Sequence, residues 1–356
     1  MQHELRAHRS PSEQVHRVGV YPLRLPSGIL SAEATMRRWV LLGACWLLIA
    51  CQPRQTDAEN GVWVPDLRVV GRTQDYETVR YKRDRVPLYA EIYRPKGKSR
   101  APAVVLLPGG FVGVNANHRA AARRLARAGY LVALPHMRGQ GKSGGFIDFG
   151  LEDAVDVRGL ASALAQVGGD GRYAYMGVSL GGAIAINAAR NDPNVRGIVC
   201  VMTPIDFREQ RQMLLNYGRT ERAQRWDDWV GGSPDECPEC WDARDPLRHV
   251  SEVRAPMVFI QAGEDVLIPV SQACRWREAR QAMGRTVHTV ALTDDGKPWR
   301  SALKERQRCA LPFTGWGDLR EDHLVFFPSL PHRTNDAVWE VALKALARWF
   351  EEDARG

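Results

Sequence analysis

The stretch Tyr173-Ala-Tyr-Met-Gly177-Val178-Ser179-Leu180-Gly181-Gly182-Ala-Ile-Ala-Ile-Asn-Ala-Ala189 decides the fold. Its first four residues predict a buried strand, its small apolar residues after Gly181 predict a helix, and the glycines around Ser179 predict a tight turn between them. Glycine is needed on both sides, because a Cβ at either position would meet the neighbouring strand or helix. A serine on such a turn projects over the end of a sheet, at the positive end of a helix dipole. Ser179 is therefore the candidate nucleophile.

Outward from this turn, short runs rich in Val, Ile and Leu recur at 103–107, 131–135, 195–202, 257–262 and 286–292. Continuous apolar runs of this length predict strands buried on both faces. Between them, 118–128, 150–166, 181–191 and 270–283 carry apolar residues at helical spacing. A last helix over 335–351 gathers Val338, Trp339, Val341, Ala342, Ala345, Leu346 and Trp349 on one face. Strand alternating with helix predicts a doubly wound, mostly parallel α/β sheet in one large domain. Two stretches break the alternation. Residues 204–255 are polar, aromatic and partly helical and predict a lid, with Phe207, Tyr217, Trp226, Trp229 and Trp241 packing it on the body. Residues 293–320 predict an insertion that borders the pocket.

The segment Met257-Val-Phe-Ile-Gln-Ala-Gly263-Glu264-Asp265 runs from a strand into an acidic turn. Asp265, four residues before Pro269, is the candidate acid that orients an imidazole and stabilises its cationic form. The order serine, acid, histidine leaves His288, His323 and His332 as candidate bases. His288 falls in a strand pattern, and Glu321–Phe327 predicts a loop before the last helix, which favours His323; His332, after Pro331, is the alternative. Val105-Leu-Leu-Pro108-Gly109-Gly110-Phe111 ends a strand in a glycine turn. The backbone N–H of Phe111, or alternatively of Gly110, would join that of Leu180 in holding a tetrahedral oxyanion. Gly139-Gln-Gly141-Lys142-Ser143 is no phosphate loop, because His136 stands where that motif requires glycine. No cofactor and no metal are expected.

The 356 residues are 44% hydrophobic and 25% charged, the balance of a globular chain with a large core, and carry a formal charge of +8. The arginines are interspersed with acids, so nucleic-acid binding has no support. Near the start, Met36-Arg37-Arg38 precedes the apolar run Trp39–Ala50 and then Cys51-Gln52-Pro53. Twelve apolar residues behind two arginines predict a cleaved export signal, since a membrane-spanning helix needs about 20. On this reading residues 1–35 are a mis-assigned extension, 36–50 the signal, 51–62 a tether and 63–356 the folded domain. Without residues 1–38 the formal charge is +5.

Leu48-Ile49-Ala50-Cys51 resembles the lipobox of bacterial lipoproteins. That resemblance implies lipidation of Cys51 and anchoring to a cell-envelope membrane, since three acyl chains exceed the two signals that stable anchoring takes. An exported chain can oxidise its thiols. Cys237, Cys240, Cys274 and Cys309 predict structural disulfides in one of three pairings. Cys237-Pro-Glu-Cys240 has a zinc half-site or a redox pair as alternatives, and Cys200, in an apolar run, predicts a buried free thiol.

From Leu88-Tyr-Ala-Glu-Ile-Tyr-Arg-Pro95 to Trp349-Phe350 the chain resembles the α/β-hydrolase superfamily, and within it the prolyl oligopeptidase catalytic domain. Gly231-Gly-Ser-Pro234, Asp245-Pro-Leu-Arg-His-Val250, Ala255-Pro256 and Gly263–Pro269, together with Gly177–Gly181, carry the likeness. Dienelactone hydrolases are also similar but usually have cysteine where Ser179 stands, and the superfamily usually has histidine where Pro108 or Gly109 stands. The resemblance implies an α/β-hydrolase fold with a helical lid. It also implies hydrolysis of a small-molecule carboxylic ester or a peptide bond through an acyl-enzyme on Ser179, with His323 moving the proton and Asp265 orienting it. The alternative is a non-catalytic envelope lipoprotein that uses the same fold for binding.

Overall fold

The computed structural model describes residues 63–351; the expected extension, export signal, lipidation site Cys51 and tether lie outside the described residues. Ten strands form one sheet: β1 (Arg68–Arg72), β2 (Glu77–Arg83), β3 (Val86–Tyr93), β4 (Ala101–Leu107), β5 (Leu131–His136), β6 (Gly169–Val178), β7 (Val195–Val201), β8 (Met257–Ala262), β9 (Val287–Ala291) and β10 (Asp322–Phe327). Their order is β1-β2-β3-β5-β4-β6-β7-β8-β10-β9. The first three strands form an antiparallel meander that pairs antiparallel with β5, and every pairing from β5 to β9 is parallel. Asp84 and Arg85, with φ of 49° and 71°, supply the two left-handed residues that a two-residue hairpin between β2 and β3 needs.

The parallel strands are apolar for a physical reason: helices cover both faces. β5, β8 and β10 are buried at every position. Helices α1 (Ala116–Arg127) and α9 (Asp336–Phe350) cover one face, where Leu125, Val338 and Trp349 join the core. On the other face α2 (Glu152–Ala163), α3 (Leu180–Ala188) and α8 (Val270–Ala282) contribute Val157, Ile184 and Trp276. Asn115 and Asn335 cap α1 and α9 by accepting backbone N–H groups of the first turn. Among the described residues no helix is long and apolar enough to cross a membrane.

Between β7 and β8 lie four further helices: α4 (Phe207–Asn216), α5 (Thr220–Val230), α6 (Pro238–Asp242) and α7 (Pro246–His249). They are held by aromatic packing centred on buried Phe149, whose ring lies 4.7 Å from Phe207, 4.6 Å from Trp226 and 6.4 Å from Trp241. Tyr217 differs, being 64% exposed at the end of α4. Cys237 pairs with Cys240 and Cys274 with Cys309, while Cys200 is buried and free. With its sulfurs joined, the Cys237–Cys240 pair offers no thiolate to a metal.

The segment 321–327, expected as a loop, is instead strand β10, inserted between β8 and β9. The strands were crossed in order β4, β5, β6 with β4 in the middle, so the chain reverses direction across the sheet there. The loops after β4 and β6 diverge at this switch point, which is where an open α/β sheet forms its ligand crevice.

Candidate active site

Ser179 occupies that crevice. Its φ of 53° and ψ of −127° place it in a strained left-handed conformation between β6 and α3, and its N–H donates to Val201 O at 2.8 Å. The glycines are required by contact: a Cβ on Gly177 would lie 2.2 Å from Gly181 O, and one on Gly181 would lie 2.3 Å from Leu107 O. The loop after β4 presses on the elbow, since a Cβ on Gly109 would approach Val178 O to 2.8 Å and the Ser179 Cβ to 3.1 Å. Gly110 and Phe111 therefore follow directly after a residue that touches the nucleophile turn. Leu180 is the first residue of α3, a position whose N–H has no intrahelical acceptor. The loop after β4 thus lies directly against the elbow.

Asp265 stands three residues beyond the end of β8, with its side chain buried. Its Oδ1 accepts the N–H groups of Leu267 and Ile268, both at 2.8 Å, and its Oδ2 lies 2.6 Å from His332 Nδ1. Two backbone bonds fix the carboxylate, and the carboxylate fixes the ring. With Nδ1–H donating to Asp265, the Nε2 of a neutral His332 is left as an acceptor. His332 follows β10 by five residues, so both members of the pair leave the same, C-terminal edge of the sheet.

The imidazole paired with Asp265 is that of His332, the alternative in the sequence, and not that of His323, the base the sequence favours. The structure puts His323 at the second position of β10, fully buried and in register with Val258 of β8 and His288 of β9. Four residue steps of β8 separate that level from Ala262, roughly 13 Å along the strand, before the turn to Asp265 begins. His323 Nε2 accepts the Gly317 N–H at 3.2 Å, its Nδ1 lies 3.1 Å from Glu321 O, and its ring stacks 4.9 Å from His288. Burial lowers its pKa. Glu264, beside the acid, turns away from His332 and pairs instead with Lys304 at 2.8 Å and with Arg306.

The sequence names Trp229 among the lid aromatics but not Phe111 as the ring it meets. The Phe111 ring lies 4.4 Å from Trp229 of the lid and 5.6 Å from Phe149 of the loop after β5, so two aromatics back the loop that follows Gly109 and Gly110. Around it Val112, Phe146 and Val266 are 82%, 88% and 65% exposed, each on a loop that leaves the C-terminal edge of a parallel strand. A separate cleft of about 820 Å³ lies between α4 and the start of α8. It holds neither Ser179 nor His332, and its cations are already paired, Arg208 with Asp242 and Arg275 with Asp206 and Glu209.

A ten-stranded, mostly parallel sheet with a serine on a strand–helix elbow and an acid–histidine pair beyond two later strands is the α/β-hydrolase fold, and the chain has that fold. Residues 102–224 match the model of the alpha/beta hydrolase fold family. Among solved structures the chain is similar to puromycin hydrolase, at 21% identity and a TM-score of 0.56, covering 85% of this chain and 42% of that one. It is also similar to an esterase of Pyrococcus furiosus (18% identity, TM-score 0.54, 82% and 99% covered). A third similar structure is the acylaminoacyl peptidase of Pyrococcus horikoshii (18%, 0.55, 81% and 41%). The chain thus spans less than half the length of the puromycin hydrolase and the peptidase. No curated protein sequence matches it.

Proposed function

We propose that the protein is a serine hydrolase that cleaves a carboxylic ester, or in a second reading a peptide bond, through an acyl-enzyme. The observation that carries this is the pairing of Asp265 with His332 at the edge of the sheet where Ser179 sits on its elbow. His332 Nε2 takes the Ser179 proton as Oγ attacks the carbonyl carbon, and the imidazolium returns that proton to the leaving oxygen or nitrogen as the acyl bond breaks. Water then repeats the sequence on the ester of Ser179, releasing the acid. The Leu180 N–H and one from Gly110 or Phe111 hold the oxyanion at both tetrahedral stages.

The ester comes first because the esterase is matched along 99% of its chain, whereas the puromycin hydrolase and the peptidase are matched over 42% and 41% of theirs. Trapping decides between them. Purified protein is mixed with p-nitrophenyl esters and with aminoacyl p-nitroanilides, and the peptide containing Ser179 is weighed after acid quench. An acyl adduct on Ser179 with the esters, absent in Ser179→Ala, supports the reading; rapid turnover of anilides alone moves it to a peptidase. A folded protein inert to both promotes the binding lipoprotein.

We also propose export and lipid anchoring at Cys51, supported by the signal-like run 36–50 and by two disulfides of the kind that persist outside the cytoplasm. Expression with an alkyne-labelled fatty acid tests it: the chain should take up label, and Cys51→Ala should not.

A further inference from the structure

The insertion between β9 and β10 does more than border the crevice. Its 3₁₀ segment Glu305–Ala310 carries Gln307, whose side chain is buried at 2% exposure although it belongs to a surface excursion of the chain. Every polar atom of that amide is used. Nε2 donates to Gly263 O at 3.0 Å and to Pro328 O at 2.9 Å, with Glu264 Oε1 also at 3.0 Å, and Oε1 accepts the Lys304 N–H at 3.2 Å. Gly263 begins the turn that presents Asp265; Pro328 begins the loop that presents His332.

The two loops are laced together around this side chain. Gly263 N–H donates to Phe327 O at 2.8 Å and Glu264 N–H to Leu330 O at 2.9 Å. Gly263 must be glycine for the lacing to close, because a Cβ there would lie 2.4 Å from Pro328 O and 2.6 Å from Gln307 Nε2. The segment itself is fastened at both sides. Lys304 and Arg306 pair with Glu264, while Cys309 is joined to Cys274 of α8 and Arg277 donates to the carbonyls of Cys309 and Leu311 at 2.7 and 3.1 Å. Helix α8 starts at Val270, directly after the acid turn.

We propose that Gln307 is a positioning residue: its amide, on a strap stapled to α8 by Cys274–Cys309, holds the Asp265 and His332 loops in register and so sets the alignment of the acid–histidine pair. This rests on the serine-hydrolase reading. It goes beyond it, because nothing in a serine–histidine–acid mechanism requires a third chain segment across the two loops. Buried carbonyls left without a donor would pull the loops apart or admit water, and an error of about 1 Å in a catalytic constellation costs roughly 100-fold in rate.

The test compares wild type, Gln307→Leu and the double variant Cys274→Ser/Cys309→Ser, each checked for folding by circular dichroism. The expected result for Gln307→Leu is a fall in kcat of about 10–100-fold with KM nearly unchanged. The acid limb of its pH–rate profile should move to lower pH, because an imidazolium less well held by Asp265 gives up its proton more readily. The serine variant should shift the limb in the same direction with a smaller loss, and it decides the matter if Gln307→Leu does not fold. A lowered melting temperature with kcat and the acid limb unchanged in the folded variants would overturn the proposal. Fluorophosphonate labelling of the wild type separates the two levels: labelled wild type with indifferent variants fails the strap alone, and unlabelled wild type fails the hydrolase reading.

Discussion

Asp265 and His332 stand 67 positions apart in the chain, and Oδ2 of one lies 2.6 Å from Nδ1 of the other. The carboxylate selects the tautomer in which Nε2 is free to accept a proton and steadies the cation that results. Asp265→Asn keeps the shape, and its amide oxygen can still accept from Leu267 and Ile268, but it offers an N–H to the ring where a carboxylate oxygen stood. Ester turnover should fall about 10⁴-fold in kcat with KM little changed, the loss seen when the corresponding carboxylate of a serine protease is neutralised. Steady-state kinetics on a p-nitrophenyl ester measure this; a loss under tenfold would leave the pair without a catalytic role.

Under the far end of β10, Asp322 and Arg280 form a fully buried ion pair at 2.7 Å. Arg280 also donates to the carbonyls of Val250, Val253 and Ala255, and Asp322 accepts the Met257 N–H at 2.9 Å. The pair ties α8, β10 and the entry to β8 together. Asp322→Ala should cost about 3–5 kcal/mol, because it strands a buried guanidinium charge. Urea denaturation followed by tryptophan fluorescence reads the loss.

Asp245 caps α7 through the Leu247 N–H and is buried, and burial, with the nearby Asp206 charge, pushes its pKa up from 3.8 to about 7. A folded pKa above the unfolded one means that this group's contribution to stability is fully present below pH 3.8 and is lost as pH rises through about 7, where the native state is forced to ionise it. Asp245→Asn keeps an acceptor for the cap and removes the charge. It should stabilise the protein at pH 8 relative to wild type, with little difference at pH 4. Linkage across that interval bounds the gain at about 4 kcal/mol. Melting temperatures of both proteins at the two pH values check the sign.

The elbow at Ser179 and the acidic turn at Asp265 are legible in the sequence because their signals are local: a glycine-flanked serine after an apolar strand, and an acid just past another. His332 is not. The strand before it, β10, is introduced by Asp322 and His323, two polar residues that are buried at the start of an interior strand only because Arg280, Met257 N–H and Gly317 N–H satisfy them. Long-range partners of that kind leave no local pattern, so the run appeared to start as a loop and drew the histidine assignment onto His323. The apolar residues Leu324-Val-Phe-Phe327 were the available signal, and reading them as a strand would have placed the base after it. The lid aromatics are legible in the sequence, but their meeting with Phe111 and the Gln307 strap are not, for the same reason: each depends on which loops the sheet order brings together.

The central claim is that His332, and not His323, activates Ser179. The rate of covalent labelling by a fluorophosphonate probe in His332→Gln and His323→Gln, with Ser179→Ala as the blank, tests it most directly. The account predicts labelling near the blank in His332→Gln and close to the wild-type rate in folded His323→Gln. Wild-type labelling in His332→Gln, or its loss only in folded His323→Gln, would contradict it.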